Sequence, residues 1–167
     1  SMGGMIGQHL ALVAPGRLER LVVASTASRY PPEAAALWAE RIRTVAADGI
    51  EPQVAPTLER WFTPSYRAAH PEVMARIAGL IRATPVSGYI GCCQAISTLA
   101  TNARLPEIGC PTLVIAAQED VGTPPAMGEE IAAAIPGARF ASLADAAHLC
   151  NVEQAEAFNR LLLEFLC

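Results

Sequence analysis

Lysine is absent from this chain of 167 residues: all 12 basic residues are arginines, an imbalance that, with abundant alanine, reflects coding composition rather than function. Charged residues of both signs make up only 17%, and a formal net charge of -4 without a basic stripe argues against nucleic acid as the main partner. Long apolar runs are missing as well. The mean hydropathy is +0.30, yet stretches such as 21–24 and 113–117 fall far short of the roughly 20 residues a bilayer span demands. No basic segment precedes an apolar one at the start, so no signal peptide is expected. The five cysteines, Cys92, Cys93, Cys110, Cys150 and Cys167, contain no C-x-x-C pair. An odd, scattered set suits reduced thiols in a cytoplasmic protein, and neither a disulfide framework nor a zinc site is expected. What the chain does have is 52% hydrophobic residues, enough to exclude disorder and to bury the core of one ordinary domain.

The pattern along the chain is α/β. An amphipathic stretch from residue 2 stops at Ala14-Pro15-Gly16, where proline and glycine end helices. Residues 21–25 read as a strand, and their uninterrupted apolar character predicts burial on both faces, as in a parallel sheet. From residue 30 to 105 helical periodicity replaces strands, with helices expected over 33–47, 54–62, 72–83 and 87–99. Leu37, Trp38, Ile42 and Val45 mark the apolar face of the first, and Ser87 is placed to cap the last. Strand and helix then alternate: a strand over 111–117, a loop to 123, a helix over 124–135, a strand over 139–143, and a closing helix over 152–166. The expected divisions are 1–29 (elbow helix and first strand of the core), 30–105 (a helical cap insertion) and 106–167 (the rest of the core). No internal repeat or low-complexity linker interrupts them.

Three polar residues stand where such a fold gathers catalytic groups, at or beyond the C-terminal ends of strands. Asp120 follows the second strand, His148 follows the third, and Ser1 opens the first helix. A serine hydroxyl needs a base within reach, and the base needs an acid to fix its tautomer and stabilise the imidazolium. Ser1, Asp120 and His148 would fill those roles in the chain order Ser, Asp, His. Each has a plainer alternative. A terminal serine is ordinarily without a role, Glu119 and Asp145 are rival acids, and His148 has an alternative as a packed loop histidine. In favour of Ser1, Ser-Met-Gly-Gly before a helix matches the second half of G-x-S-x-G, whose glycines permit a tight turn and close helix–strand packing. His9 and His70 carry no assigned role.

These residues resemble the α/β-hydrolase superfamily, and most closely its 3-oxoadipate enol-lactonase family. Ser1-Met2-Gly3-Gly4-Met5-Ile6-Gly7-Gln8 resembles the nucleophile elbow. Glu59-Arg60-Trp61-Phe62-Thr63-Pro64, Arg67-Ala68-Ala69-His70-Pro71 and Gly88-Tyr89-Ile90-Gly91-Cys92-Cys93-Gln94-Ala95-Ile96 resemble segments of the helical cap. Pro111-Thr112-Leu113-Val114-Ile115 through Asp120 and Thr123-Pro124-Pro125 resembles the acid-bearing strand and loop, and Ala146-Ala147-His148-Leu149-Cys150-Asn151-Val152-Glu153-Gln154 the histidine loop. The resemblance spans essentially the whole chain. The triad is common to the superfamily, whereas the cap segments and the histidine loop are narrower and carry the lactonase reading. The resemblance implies a serine hydrolase of a small lactone or ester, acting in aromatic catabolism through the β-ketoadipate pathway, with no cofactor and no metal. Ser1 would be the nucleophile, His148 the base, Asp120 the acid and the backbone amide of Met2 an oxyanion donor. Trp38 and Trp61 would line the substrate wall, with ordinary helix packing as the alternative for both. Arg41, Arg43 and Arg82 are open as partners of a substrate carboxylate.

Against the family's pattern, the strand that feeds the elbow, its leading glycine and the loop with the second oxyanion donor are missing. About five strands of a doubly wound core are unaccounted for. The chain is therefore expected to be the later part of a longer hydrolase, with little activity of its own and with self-association through the exposed edge of strand 21–25. Alternatives within the class are a general carboxylesterase and a haloperoxidase-like member. Outside it stand an N-terminal nucleophile hydrolase using the Ser1 amine and an inactive binding or interaction remnant of the fold.

Overall fold

A computed structural model describes residues 1–167 and divides them into two compact units, one of Ser1–Arg29 with Ala100–Cys167 and one of Tyr30–Leu99. The chain begins with α1 (Met2–Val13) and β1 (Leu21–Ala24). Five helices follow: α2 (Ala34–Asp48), α3 (Val54–Trp61), α4 (Pro64–Ala69), α5 (Pro71–Arg82) and α6 (Val86–Ser97). The alternation resumes with β2 (Thr112–Ala117), α7 (Pro125–Ala134), β3 (Arg139–Leu143), α8 (Cys150–Glu153) and α9 (Ala155–Leu166).

The three strands form one parallel sheet in the order β1-β2-β3, with Leu21 beside Thr112 and Leu113 beside Arg139. Successive side chains of a strand point to opposite faces, and here each face has its own apolar cluster. Leu21, Val23 and Val114 pack with Ala11 of α1, Leu105, Ile108 and Ile131 of α7. Leu113, Ile115, Ala117 and Leu143 pack on the other face with Cys150 and Phe165 of α9. Every residue of β2 is buried. On β1 only Leu21 and Val23 are; Val22 and Ala24 are half-buried, short of the two-faced burial expected, and pack at the margin of the second cluster.

The first unit closes on itself where the helical segment leaves and returns. Arg29 and Ala100 form an antiparallel bridge, and the Thr101 amide donates to Ser28 O at 2.9 Å. Gln8 of α1, wholly buried, donates through Nε2 to Ala27 O at 3.1 Å and accepts from Thr101 Oγ1 at 2.6 Å. Residues 100–105, grouped on sequence with the helical segment, therefore belong with the sheet; Leu105 is completely buried in its core.

Within Tyr30–Leu99, Val45, Val54, Phe62, Ile77, Ala78, Ile81 and Cys93 are buried. Leu37 is 52% exposed rather than inward-facing. α4 escaped the periodicity reading because it is only six residues long. It is started by Pro64 and by Thr63, whose hydroxyl accepts from Tyr66 N at 3.2 Å. The last helix of this unit begins at Val86 with Pro85 before it, so Ser87 lies inside the first turn and is not the cap. Pro85 takes the extended conformation that precedes a helix start. The expected closing helix over 152–166 is broken at Gln154, which leaves helical geometry at φ -122°, ψ 49° between α8 and α9. The break accompanies two side chains that turn back: Glu153 accepts from Ala147 N and Gln154 donates to Asp145 O.

α1 approaches the sheet closely at two glycines. A Cβ on Gly4 would lie 2.8 Å from Thr26 Cβ, and one on Gly7 2.9 Å from Leu21 Cδ1, whereas Gly3 faces open space. Gly4→Ala is accordingly expected to destabilise the protein by about 1–3 kcal/mol through overpacking. Gly3→Ala should be neutral or stabilising by up to ~1 kcal/mol from helix propensity. Urea denaturation of the two variants checks the contrast.

Candidate active site

The loops that follow β2 and β3 are stitched together by backbone. Gln118 N donates to Leu143 O and Glu119 N to Ala146 O, both at 2.9 Å. This registers residue 120 against residue 148. Asp120 is 2% exposed and its carboxylate is fully engaged. Oδ1 accepts from Gly122 N at 2.8 Å and Thr123 N at 2.9 Å; Oδ2 accepts from Thr123 Oγ1 at 2.6 Å and from His148 Nδ1 at 2.7 Å. An ionised carboxylate only accepts, so Nδ1 carries the proton and Nε2 is the nitrogen able to take one. Burial works to raise the Asp120 pKa, but the hydrogen bond and charge of His148, with the bonds from Thr123, outweigh it and hold it below its ordinary value. Gly122 passes close by: a Cβ there would come within 3.3 Å of Asp120 Oδ1.

Of the three carboxylates that competed on sequence, Asp120 is the one bonded to His148. Glu119 and Asp145 are both exposed. Asp145 sits at a left-handed φ of 51° and offers its carbonyl to Gln154. Glu153 Oε2 holds the Ala147 amide at 2.6 Å, one residue before His148. Thr123 and Glu153 were missed on sequence. An Asp followed three residues later by Thr was the one signal for the first, as in a side-chain-closed turn; no spacing marked the second.

Ser1 is exposed and stands at the helix start. Its nitrogen donates to Ala24 O at 2.6 Å, and its carbonyl accepts from Thr26 Oγ1 at 2.7 Å and from the amides of Gly4 and Met5. These contacts pin residue 1 beyond the C-terminal end of β1. The Met2 amide opens the first helical turn, where an N–H has no carbonyl one turn back to bond. Cys150 is buried, 3.6 Å from Ser25 Oγ; burial pushes its thiol up, more than the bond from Ser25 lowers it, so it stays protonated. Trp38 and Trp61, half-buried, lie in the unit Tyr30–Leu99, whereas Ser1, Met2, Asp120 and His148 lie in the other.

A family model of the alpha/beta hydrolase fold matches residues 1–155. The chain is 35% identical over 159 residues to 3-oxoadipate enol-lactonase 2 of Acinetobacter baylyi, covering 95% of this chain and 58% of that protein. Among solved structures, an enol-lactonase from Burkholderia xenovorans superposes with a TM-score of 0.94 at 37% identity, over 99% of this chain and 63% of that one. A hydrolase from Pseudomonas aeruginosa does so with a TM-score of 0.94 at 42% identity, over 99% of this chain and 62% of that one. The chain thus spans about three fifths of the length of the relatives it matches.

The depressed Asp120 pKa has a consequence for stability. A carboxylate whose folded pKa lies below its unfolded value stabilises the fold above the unfolded value and loses that contribution as pH falls through the folded one. Asp120→Asn is expected to cost about 1–3 kcal/mol at neutral pH. The deficit relative to the parent should shrink as pH drops below the ordinary Asp value of 3.8. Urea denaturation across that range measures it; a deficit independent of pH would show that the carboxylate charge contributes nothing.

Proposed function

Because the chain belongs to the alpha/beta hydrolase fold family, we propose that it is the later part of a serine hydrolase that opens an enol-lactone of the 3-oxoadipate type, acting in aromatic catabolism. The observation that carries the reading is the buried 2.7 Å bond between His148 Nδ1 and Asp120 Oδ2, in a chain 35% identical to one enol-lactonase and 37% identical to another.

In this reading the Ser1 hydroxyl attacks the lactone carbonyl while His148 Nε2 takes its proton. Asp120 keeps the imidazole in the Nδ1–H tautomer and balances the charge that forms. The Met2 amide at the start of α1 donates to the developing oxyanion, where an oriented N–H is worth far more than in water. Collapse of the tetrahedral intermediate breaks the ring C–O bond and gives an acyl-enzyme whose enolate leaving oxygen receives the proton from His148. Water activated by the same nitrogen then hydrolyses the ester and frees the dicarboxylate. Trp38 and Trp61 are assigned to the apolar wall around the substrate. Five free cysteines and no disulfide suit the cytoplasm, where this catabolism runs.

A fluorophosphonate probe and a lactone assay on the protein carrying these residues test the assignment. The probe should label Ser1, and labelling should disappear in Ser1→Ala and His148→Ala. Asp120→Asn should lower kcat by ~10³–10⁴ with a smaller change in KM. Undiminished turnover in Ser1→Ala would sink the triad. A clear preference for simple acetate esters over the enol-lactone would replace the lactonase reading with a general esterase.

A further inference from the structure

One peptide group in the loop after β3 is held at both of its polar atoms. The carbonyl of Ala146 accepts from Glu119 N at 2.9 Å, and the amide of Ala147 donates to Glu153 Oε2 at 2.6 Å. These two atoms belong to the same peptide unit, the one that joins Ala146 to Ala147. A peptide unit is planar and its C=O and N–H point to opposite sides, so fixing both fixes the orientation of the whole plane. Only the torsions of Ala147 and His148 separate that plane from the imidazole. The first anchor comes from the neighbour of Asp120 in sequence, and so ties the plane to the loop of the acid.

The second anchor is a side chain from the last position of α8, just before the break at Gln154. Gln154 adds a tie two residues upstream, donating to Asp145 O at 3.1 Å, and Asp145 takes a left-handed φ of 51°. Such a conformation in a residue with a side chain persists only where its surroundings hold it. Ala146, Ala147 and His148 are all buried. Any acceptor would satisfy the buried Ala147 amide, but a bond to an ionised carboxylate is shorter and about twice as strong as one to a neutral oxygen. His148 Nδ1 is committed to Asp120 Oδ2 at 2.7 Å. A tilt of the 146–147 plane would therefore stretch that bond or turn Nε2 away from its working direction, and reacting groups tolerate little such error.

We propose that Glu153 is a positioning residue for the hydrolytic reaction: by binding the Ala147 amide it locks the 146–147 peptide plane and, through it, the direction of His148 Nε2. The inference rests on the reading of His148 as the base, and not on which lactone or ester is opened. An effect carried through the backbone of the base belongs to the chemical step, so it shows in kcat and leaves substrate binding nearly untouched.

Steady-state kinetics with p-nitrophenyl acetate, on the whole protein carrying this chain, tests the assignment. Glu153→Ala is expected to lower kcat about 10–100-fold, the scale of loss when a reacting group is misplaced by about 1 Å, with KM changed less than about threefold. Glu153→Gln, which keeps a carbonyl acceptor at the same reach, should return kcat to within about fivefold of the parent. Glu156→Gln removes an exposed carboxylate from the first turn of α9 and should change nothing. Proton NMR gives a second readout that needs no turnover. The proton shared by His148 Nδ1 and Asp120 Oδ2 resonates at low field; its signal should shift or broaden in Glu153→Ala and persist in Glu153→Gln. Should Glu153→Ala not fold, Glu153→Asp, one methylene shorter, takes its place with the same expected losses. A folded Ala or Asp variant with the parent's kcat would overturn the proposal, and so would a Gln variant as impaired as Ala. If the parent itself neither hydrolyses the ester nor takes a fluorophosphonate label at Ser1, the reading of His148 as base fails. The low-field signal then decides alone whether Glu153 sets the imidazole, and a signal unchanged in Glu153→Ala would show that it does not.

Discussion

Burying a carboxylate is affordable only when the protein supplies the hydrogen bonds that water would have given, and the sheet-based unit is organised around doing this for Asp120. Four donors converge on it: two backbone amides, one hydroxyl and one imidazole nitrogen. Two of the four come from Thr123, three residues along the same turn, so the loop must close on itself before the histidine arrives. The bonds from Gln118 and Glu119 to the β3 loop then bring His148 into register. Were either loop to shift, the carboxylate would be left short of a donor in a site with almost no water contact. The cost of that state is what makes the geometry rigid, and the fixed tautomer of His148 is a by-product of it.

Ser1 is positioned by a different device. The helix α1 is drawn onto β1 because Gly4 and Gly7 have no side chains to keep it away, and Thr26 fills the space against Gly4 while donating to the Ser1 carbonyl. Close backbone packing and one hydroxyl thus set residue 1 at the end of β1, as the loop bonds set residues 120 and 148 beyond β2 and β3. All three lie on the C-terminal side of a parallel sheet, because consecutive parallel strands end at the same edge.

Much of this was legible in the residues. The run Leu113–Ala117 is continuous and apolar, and only a strand covered on both faces needs that, so β2 and its loop could be located from pattern. The glycines after Ser1 carried a steric message, although it is Gly4 and not Gly3 that makes the close contact. What was not legible depended on side chains reaching across the chain. The break at Gln154 follows from Glu153 and Gln154 binding back to the histidine loop, and no local propensity announces such a bond. Which of Asp120, Glu119 and Asp145 bonds His148 depends on which carboxylate the loop stitching turns inward. Among the arginines, Arg43 and Arg82 are exposed and paired with glutamates, whereas Arg41 is half-buried over the Trp38 ring. The i,i+3 spacing of Glu40 and Arg43 is visible in the sequence, whereas the pairing of Arg82 with Glu51, 31 residues away, is not.

The helical segment leaves the sheet unit and returns to it at one place. The entropic cost of closing a loop rises only with the logarithm of its length, so tens of extra residues add little beyond what a shorter crossover would cost. What matters is that the two ends be fastened, and here they are fastened by the sheet unit itself. The Arg29–Ala100 bridge, the Thr101–Ser28 bond and the buried Gln8 amide clamp exit and return without using any residue from 30 to 99. Gln8 is the key member: it lies on α1, bonds the segment leaving β1 through Ala27 and the returning segment through Thr101, and both ends of its amide are paired. Ser1, Asp120 and His148 all rest on elements of the unit closed in this way.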